Sequence, residues 1–195
     1  MEEIDFLDCL YLATSLYDEI ERKIANLFNR LNIREYPIDP MKIAESLGYE
    51  LIPFSKMNNE AKKMLISKDS DGISFYNPII KKYVIYYNSD STKERLRFTI
   101  GHEIGHIQMG HKCESDLARR IANYYAAYLL APTPWIKCAS CEDYTDVAKN
   151  FIVSEQCALI CFNRYRNWNN FSNRKNYEIT LINLLKGGDL CESDK

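Results

Sequence analysis

The sequence predicts an α+β fold, with a small sheet preceding and supporting a run of helices. Three observations carry that prediction. Short β-branched and aromatic stretches bounded by turn residues lie between residues 49 and 87. Most of the remaining chain repeats its apolar residues at three- and four-residue steps. Within one such stretch, Gly101-His102-Glu103-Ile104-Gly105-His106 sets two of the chain's 3 histidines four residues apart. At 195 residues and 46% hydrophobic, the chain can bury one real core, with or without a helical appendage.

Taken in order, residues 5–31 read as a long amphipathic helix. Ile4, Leu7, Leu10, Tyr11, Tyr17, Ile20, Ile24, Leu27, Phe28 and Leu31 form its apolar stripe. That stripe packs on the domain or on a second copy, which would make a homodimer. Tyr36-Pro37-Ile38-Asp39-Pro40 is a turn, with Asp39 as N-cap and Pro40 at the first position of a helix over Met41–Leu47. Gly48 ends it. Strands are expected at 49–54, 73–76 and 81–87, with a short helix at 58–66. The sheet is expected to be antiparallel or mixed.

Ser91-Thr92-Lys93-Glu94 has capping-box spacing, so a helix is expected from Thr92 to Met109, ended by Gly110. Leu96, Ile100, Ile104 and Ile107 make its buried stripe, and Phe98, His102 and His106 the neighbouring one. Further helices are expected over 114–130, stopped by Pro132 and Pro134, then over 143–151 and 154–168. A last apolar stretch lies at 179–185. The organisation expected is an N-terminal helix at 1–33, a core at 34–135 and a C-terminal helical part at 136–195.

A net charge of -2 gives no broad attraction to nucleic acid or anionic membranes. No apolar run reaches the length of a membrane span. The start, Met1-Glu2-Glu3-Ile4-Asp5, is too acidic for a signal peptide. The 7 cysteines then read as reduced thiols in a cytoplasm. Cys138, Cys141, Cys157 and Cys161 could imitate a four-thiolate zinc site, but Cys157 and Cys161 fall in a helix as small core residues.

On a helix, His102 and His106 lie one turn apart on one face and can grip a single zinc ion. Glu103, on the adjoining face, is the candidate general base. Tyr124, Tyr125 and Tyr128 read as packed tyrosines, and Cys113 as a surface thiol.

These residues sit in a pattern that resembles the ImmA/IrrE metallopeptidases of bacteria, phages and mobile elements. The resemblance covers roughly residues 36–168. Its pieces are Pro37–Pro40 with Ile43-Ala44 and Gly48, then Arg97–His106, then Ala122–Pro132, and last Phe151–Ser154 with Arg164-Tyr165 and Trp168. The resemblance implies a minimal, gluzincin-like zincin fold and zinc-dependent hydrolysis of a regulatory protein, often a repressor. It also implies that the edge strand before the metal helix, Lys82–Asn88 here, pairs with an extended substrate.

One position departs from the family pattern. The third zinc ligand there is a glutamate directly before the Ala-Asn pair, and here that position is Ile121. The substitutes within reach in sequence are Glu114, Asp116 and His111, besides an acid from elsewhere or from a second chain. Two further readings follow. The chain can be a degenerate zincin that binds a protein partner. It can also be a DNA-binding regulator, since Asp146–Ser154 resembles the turn of a helix-turn-helix, with Ile152 where that turn commonly has glycine. Arg164, Tyr165, Arg166, Trp168, Phe171, Arg174 and Lys175 would then face the nucleic acid. The acidic overall balance counts against it.

Overall fold

The computed structural model describes residues 14–113, 115–171 and 174–185. The expected first turns of the N-terminal helix (residues 5–13) and Glu114 lie outside the described residues. In chain order the elements are α1 (Thr14–Leu31), α2 (Pro40–Ser46), β1 (Glu50–Pro53), α3 (Asn59–Ile66), β2 (Gly72–Asn77), β3 (Lys82–Tyr87), α4 (Lys93–Gln108), α5 (Asp116–Leu130), α6 (Thr133–Cys138), α7 (Tyr144–Phe151), α8 (Glu155–Phe171) and α9 (Asn176–Leu185). The chain divides into two compact units. One is Asp39–Ala126; the other comprises residues up to Ile38 and from Ala127 onward.

In the Asp39–Ala126 unit, local chemistry starts the helices. The Asp39 carboxylate accepts from Met41 N at 3.0 Å and Lys42 N at 3.3 Å, with Pro40 opening α2. Asn58 Oδ1 caps α3 by accepting from Ala61 N at 2.8 Å. The cap of α4 is Thr92, whose hydroxyl accepts from Arg95 N at 3.3 Å. The capping residue is thus one later than the Ser91 of the sequence pattern.

The sheet is mixed, in the order β1-β3-β2. β1 runs parallel to β3, with Leu51 opposite Ile85. β2 is antiparallel to β3, with Ile73 opposite Tyr86. The expectation that Lys82–Asn88 forms a free edge is therefore corrected. β3 is the central strand, and the unpaired edges belong to β1 and β2. The physical reason is burial: Val84 and Ile85 are consecutive, point to opposite faces, and are both 0% exposed. An edge strand with one wet face would alternate instead.

α4 packs against β2 and β3 at very short range. A Cβ at Gly72 would stand 2.5 Å from Thr99 Cγ2 and 3.1 Å from Tyr86 O. Only glycine lets the start of β2 come this close to the helix. An ion pair between Arg95 and Asp71 ties the same two elements at the surface.

The other unit is centred on Trp135, which is fully buried on α6. Its Nε1–H donates to Leu181 O at 2.7 Å, and the Phe28 ring lies 5.2 Å from it. Tyr36 stacks on Phe151 at 4.8 Å. α1 buries Ile20, Ile24, Ala25, Leu27 and Phe28 and packs against α9 within its own unit. Glu178 is buried and doubly engaged: its carboxylate accepts from Trp168 Nε1 and from Lys175 N, each at 2.7 Å. That fastens the end of α8 to the start of α9. α6 is an element absent from the sequence reading, in which Pro132 and Pro134 serve only as a stop. Pro134 sits in the first turn of α6, where a missing N–H costs nothing. The turn before α8 places Ile152 at φ 51°, a left-handed conformation that is costly for a β-branched residue. Among the described residues no helix is long and apolar enough to cross a membrane.

The Gly72 contact generates a test. Gly72→Ala is expected to destabilise the protein by about 1–3 kcal/mol in urea unfolding, the usual range for overpacking. Adding Thr99→Ser, which removes the opposing methyl, is expected to recover part of that loss. A Gly72→Ala protein of unchanged stability would contradict the close approach.

Candidate metal centre

α4 is buried on more than one face. Ile100 and Ile104 are fully covered, as the stripe predicts, and Thr99, Gly101, Glu103 and Gly105 are covered as well. The buried glycines are positional. A Cβ at Gly105 would meet the Tyr125 side chain at 3.0–3.2 Å, so α5 presses on α4 there. His102 and His106 remain half-buried on the same helix.

The two imidazoles converge. His102 Nε2 and His106 Nε2 are 2.9 Å apart, and the ring centroids 4.6 Å. Two nitrogens bound to one tetrahedral zinc stand roughly 3.3 Å apart, given Zn–N bonds of about 2.05 Å. The pair fits an ion with an adjustment of a few tenths of an ångström. The pKa of His102 falls from the usual 6.5 to about 3, chiefly because burial penalises the charged ring. His106, Arg119 and His111 push in the same direction, while a hydrogen bond to Asn123 opposes them. The ring is therefore neutral at physiological pH, the form that binds metals.

The other nitrogen of His106 is also engaged. His106 Nδ1 lies 3.1 Å from His111 Nδ1. The chain ends α4 with a Schellman turn: Gly110 takes φ 71°, its N–H donates to Ile107 O at 3.1 Å, and His111 N donates to His106 O at 3.0 Å. That turn folds His111 back over His106. His111 is thus beside His106, but on the ring nitrogen opposite the one that faces His102.

Glu103 is 6% exposed and follows His102 on the sheet side of α4, its Cγ 3.7 Å from where a Cβ on Gly72 would be. Ile121 is also buried, at 7% exposure, on the same stripe of α5 as Tyr125. Asp116 is exposed in the first turn of α5. Among the described residues no group of three or more His, Cys, Asp or Glu side chains is placed to hold a metal ion. Of the cysteines, Cys141, Cys157 and Cys161 are buried, Cys138 is half-buried and Cys113 is an exposed thiol. Tyr124, Tyr125 and Tyr128 are all buried.

The model of the IrrE N-terminal-like domain, peptidase M78, matches residues 45–163. The chain belongs to this family of metallopeptidases. A comparison with curated proteins returns no match. As an M78 member, the chain has a peptidase-like, generally metal-dependent ancestry, and the match takes in the sheet, α4 and α5.

Two neighbours of the histidine pair make contacts that sequence reasoning did not give. Asn123 enters the sequence pattern only as part of the Ala-Asn pair, yet it hydrogen-bonds His102. His111 reads there as a substitute ligand, although Gly110 four residues after His106 signals the turn that stacks the two rings.

The His102 environment generates a pH prediction for metal-free protein. The folded pKa lies below the unfolded one, so the neutral ring stabilises the fold above pH 6.5 and loses that contribution as pH falls toward 3. In ¹H–¹⁵N spectra the His102 ring is expected to stay neutral from pH 8 to about 5. A midpoint near 6.5 would contradict the desolvation of the ring.

Proposed function

We propose that this M78 chain is a zinc-dependent endopeptidase that cuts a regulatory, repressor-like protein. The single observation that carries the reading is the convergence of His102 Nε2 and His106 Nε2 at 2.9 Å on a ring held neutral. These two nitrogens would hold the ion. When bound, zinc acidifies water and polarises a scissile carbonyl. The chain's own contribution to bond cleavage is Glu103, which takes the proton of the attacking water on its carboxylate and returns it to the leaving amine nitrogen. Its burial beside the start of β2 keeps the carboxylate out of bulk water and fixes its place on the helix. The same contact makes β2 the free sheet edge nearest Glu103, where an extended substrate segment can add by backbone pairing.

Ile121 favours a second reading. With a buried isoleucine where the family has its third ligand, the pair alone grips an ion weakly. In that reading the chain keeps the fold and binds its protein partner without cutting it.

Metal analysis and hydrolysis assays separate the two. On the peptidase reading, purified protein carries zinc near one per chain, and His102→Ala abolishes it. Glu103→Gln keeps the zinc and loses hydrolysis by roughly 10²–10⁴-fold, the usual worth of a general base. Ile121→Glu is expected to tighten zinc binding by at least tenfold. A wild type that stays metal-free and inert, yet holds its partner, establishes the second reading instead.

A further inference from the structure

We infer that β2 is a docking strand for an extended segment of another protein, one in which acidic residues precede a run of aromatic and β-branched residues. The inference rests on the reading above only in taking β2 as the edge that receives the partner. It needs no metal ion, and it holds whether the partner is cut or kept.

The two free edges of the sheet differ. β1 is short and carries Glu50 and Pro53, and a charge or a proline blunts an edge against strand addition. β2 spans 6 residues, Gly72–Asn77, with no charge, no proline and an unbroken register to β3. Its hydrogen-bonding side follows from one bond. Asn88 N donates to Asp71 O at 2.8 Å, so these two residues form a bonded pair at the end of the ladder. Bonded and non-bonded pairs alternate along antiparallel strands. Ile73, Phe75 and Asn77 therefore turn their backbone groups to β3, while Gly72, Ser74 and Tyr76 turn theirs outward. Asp69 Oδ1 already accepts from Gly72 N at 3.3 Å. Ser74 and Tyr76 are left to pair with an added strand. An antiparallel one makes two bonds with each and is the stronger arrangement per residue.

Side chains and charge define what fits. Tyr76 meets Tyr83 edge to face at 5.3 Å on one face of the sheet, and Phe75 stacks on Tyr86 at 5.2 Å on the other. Phe75 and Tyr76 are 41% and 51% exposed, so both aromatic ladders stop at the open edge. Aromatic and β-branched residues of an added strand extend them through cross-strand contacts. Charge sets the direction. The hairpin end of β2 carries the exposed Lys81 and Lys82. At the other end the acids are engaged, Asp69 with the backbone of Asp71 and Gly72, and Asp71 with Arg95. The edge thus presents positive charge at its hairpin end, in a chain of net charge -2. In an antiparallel partner the residues that reach that end come before the paired run, so its acids precede its aromatics.

The test is titration of ¹⁵N-labelled wild-type protein, without added metal, with the acetylated and amidated peptide Glu-Glu-Tyr-Val-Tyr-Thr. In ¹H–¹⁵N spectra the inference expects the Ser74 and Tyr76 amides to move downfield, and by more than those of Ile73 and Phe75. N-methylation of the peptide's valine is expected to leave binding, and N-methylation of either tyrosine to abolish it, because alternate N–H groups face β2. That readout needs no variant protein. Lys81→Glu combined with Lys82→Glu is expected to weaken binding about 2–30-fold, the worth of two exposed ion pairs. The peptide Lys-Lys-Tyr-Val-Tyr-Thr is expected to bind wild type more weakly than the acidic one. Unmoved Ser74 and Tyr76 amides, indifference to the N-methyl position, or equal binding of acidic and basic peptides overturns the inference. Movement of the same amides with protein concentration alone assigns the edge to a second copy and also overturns it. A protein that hydrolyses its partner but shows no such shifts loses this inference alone. One that shows the shifts but carries neither zinc nor hydrolysis loses only the peptidase reading.

Discussion

Two glycine-width contacts on α4 govern the Asp39–Ala126 unit. Gly72 lets β2 run against Thr99, and Gly105 lets the Tyr125 ring of α5 lie on the helix backbone. A methyl group at either place would push an element away. Closely packed interiors respond to changes of that size, because they have no slack to absorb them. The helix is therefore clamped from two sides, and the orientation of its histidine face follows from the clamp. Glu103 is part of the same arrangement, covered on the sheet side rather than projecting into water.

Clamping also sets the electrostatics. A buried imidazole with two other histidines and Arg119 nearby has every reason to stay neutral, and the Asn123 bond is the one influence that opposes this. Neutral ring nitrogens 2.9 Å apart share a hydrogen bond here and are spaced so that a cation could replace the shared proton. On the proposed zinc reading, the third donor is the weak point, since the position where the family pattern puts a glutamate is the buried Ile121. On that reading, affinity depends more than usual on how well the two rings are held, and Asn123 is a hydrogen-bond partner of one of them.

Much of this was legible in the chain. The α2 cap at Asp39-Pro40, the start of α3 at Asn58 and the span of α4 follow from local rules, because capping and helical periodicity involve residues within one turn. The one-residue shift of the α4 cap from Ser91 to Thr92 is a small miss of the same kind. Sheet order was less accessible, since it depends on which strand is covered on both faces. Still, the consecutive Val84 and Ile85 carried that information. α6 was hidden by prolines that can end one helix and open the next. At the site, sequence singled out His102, Glu103 and His106, and the structure shows where they lie on α4. Sequence did not reveal that His111 would reach the far nitrogen of His106, because that depends on a handed turn at Gly110 rather than on spacing alone.

The proposed function rests on His102 and His106 of α4 holding a zinc ion. X-ray absorption at the zinc edge of loaded wild-type protein addresses it directly. The account predicts two imidazole rings around the metal, with remaining scatterers of oxygen type and no sulfur near the ~2.3 Å expected for Zn–S bonds. Sulfur at that distance, or fewer than two imidazole rings, would contradict it.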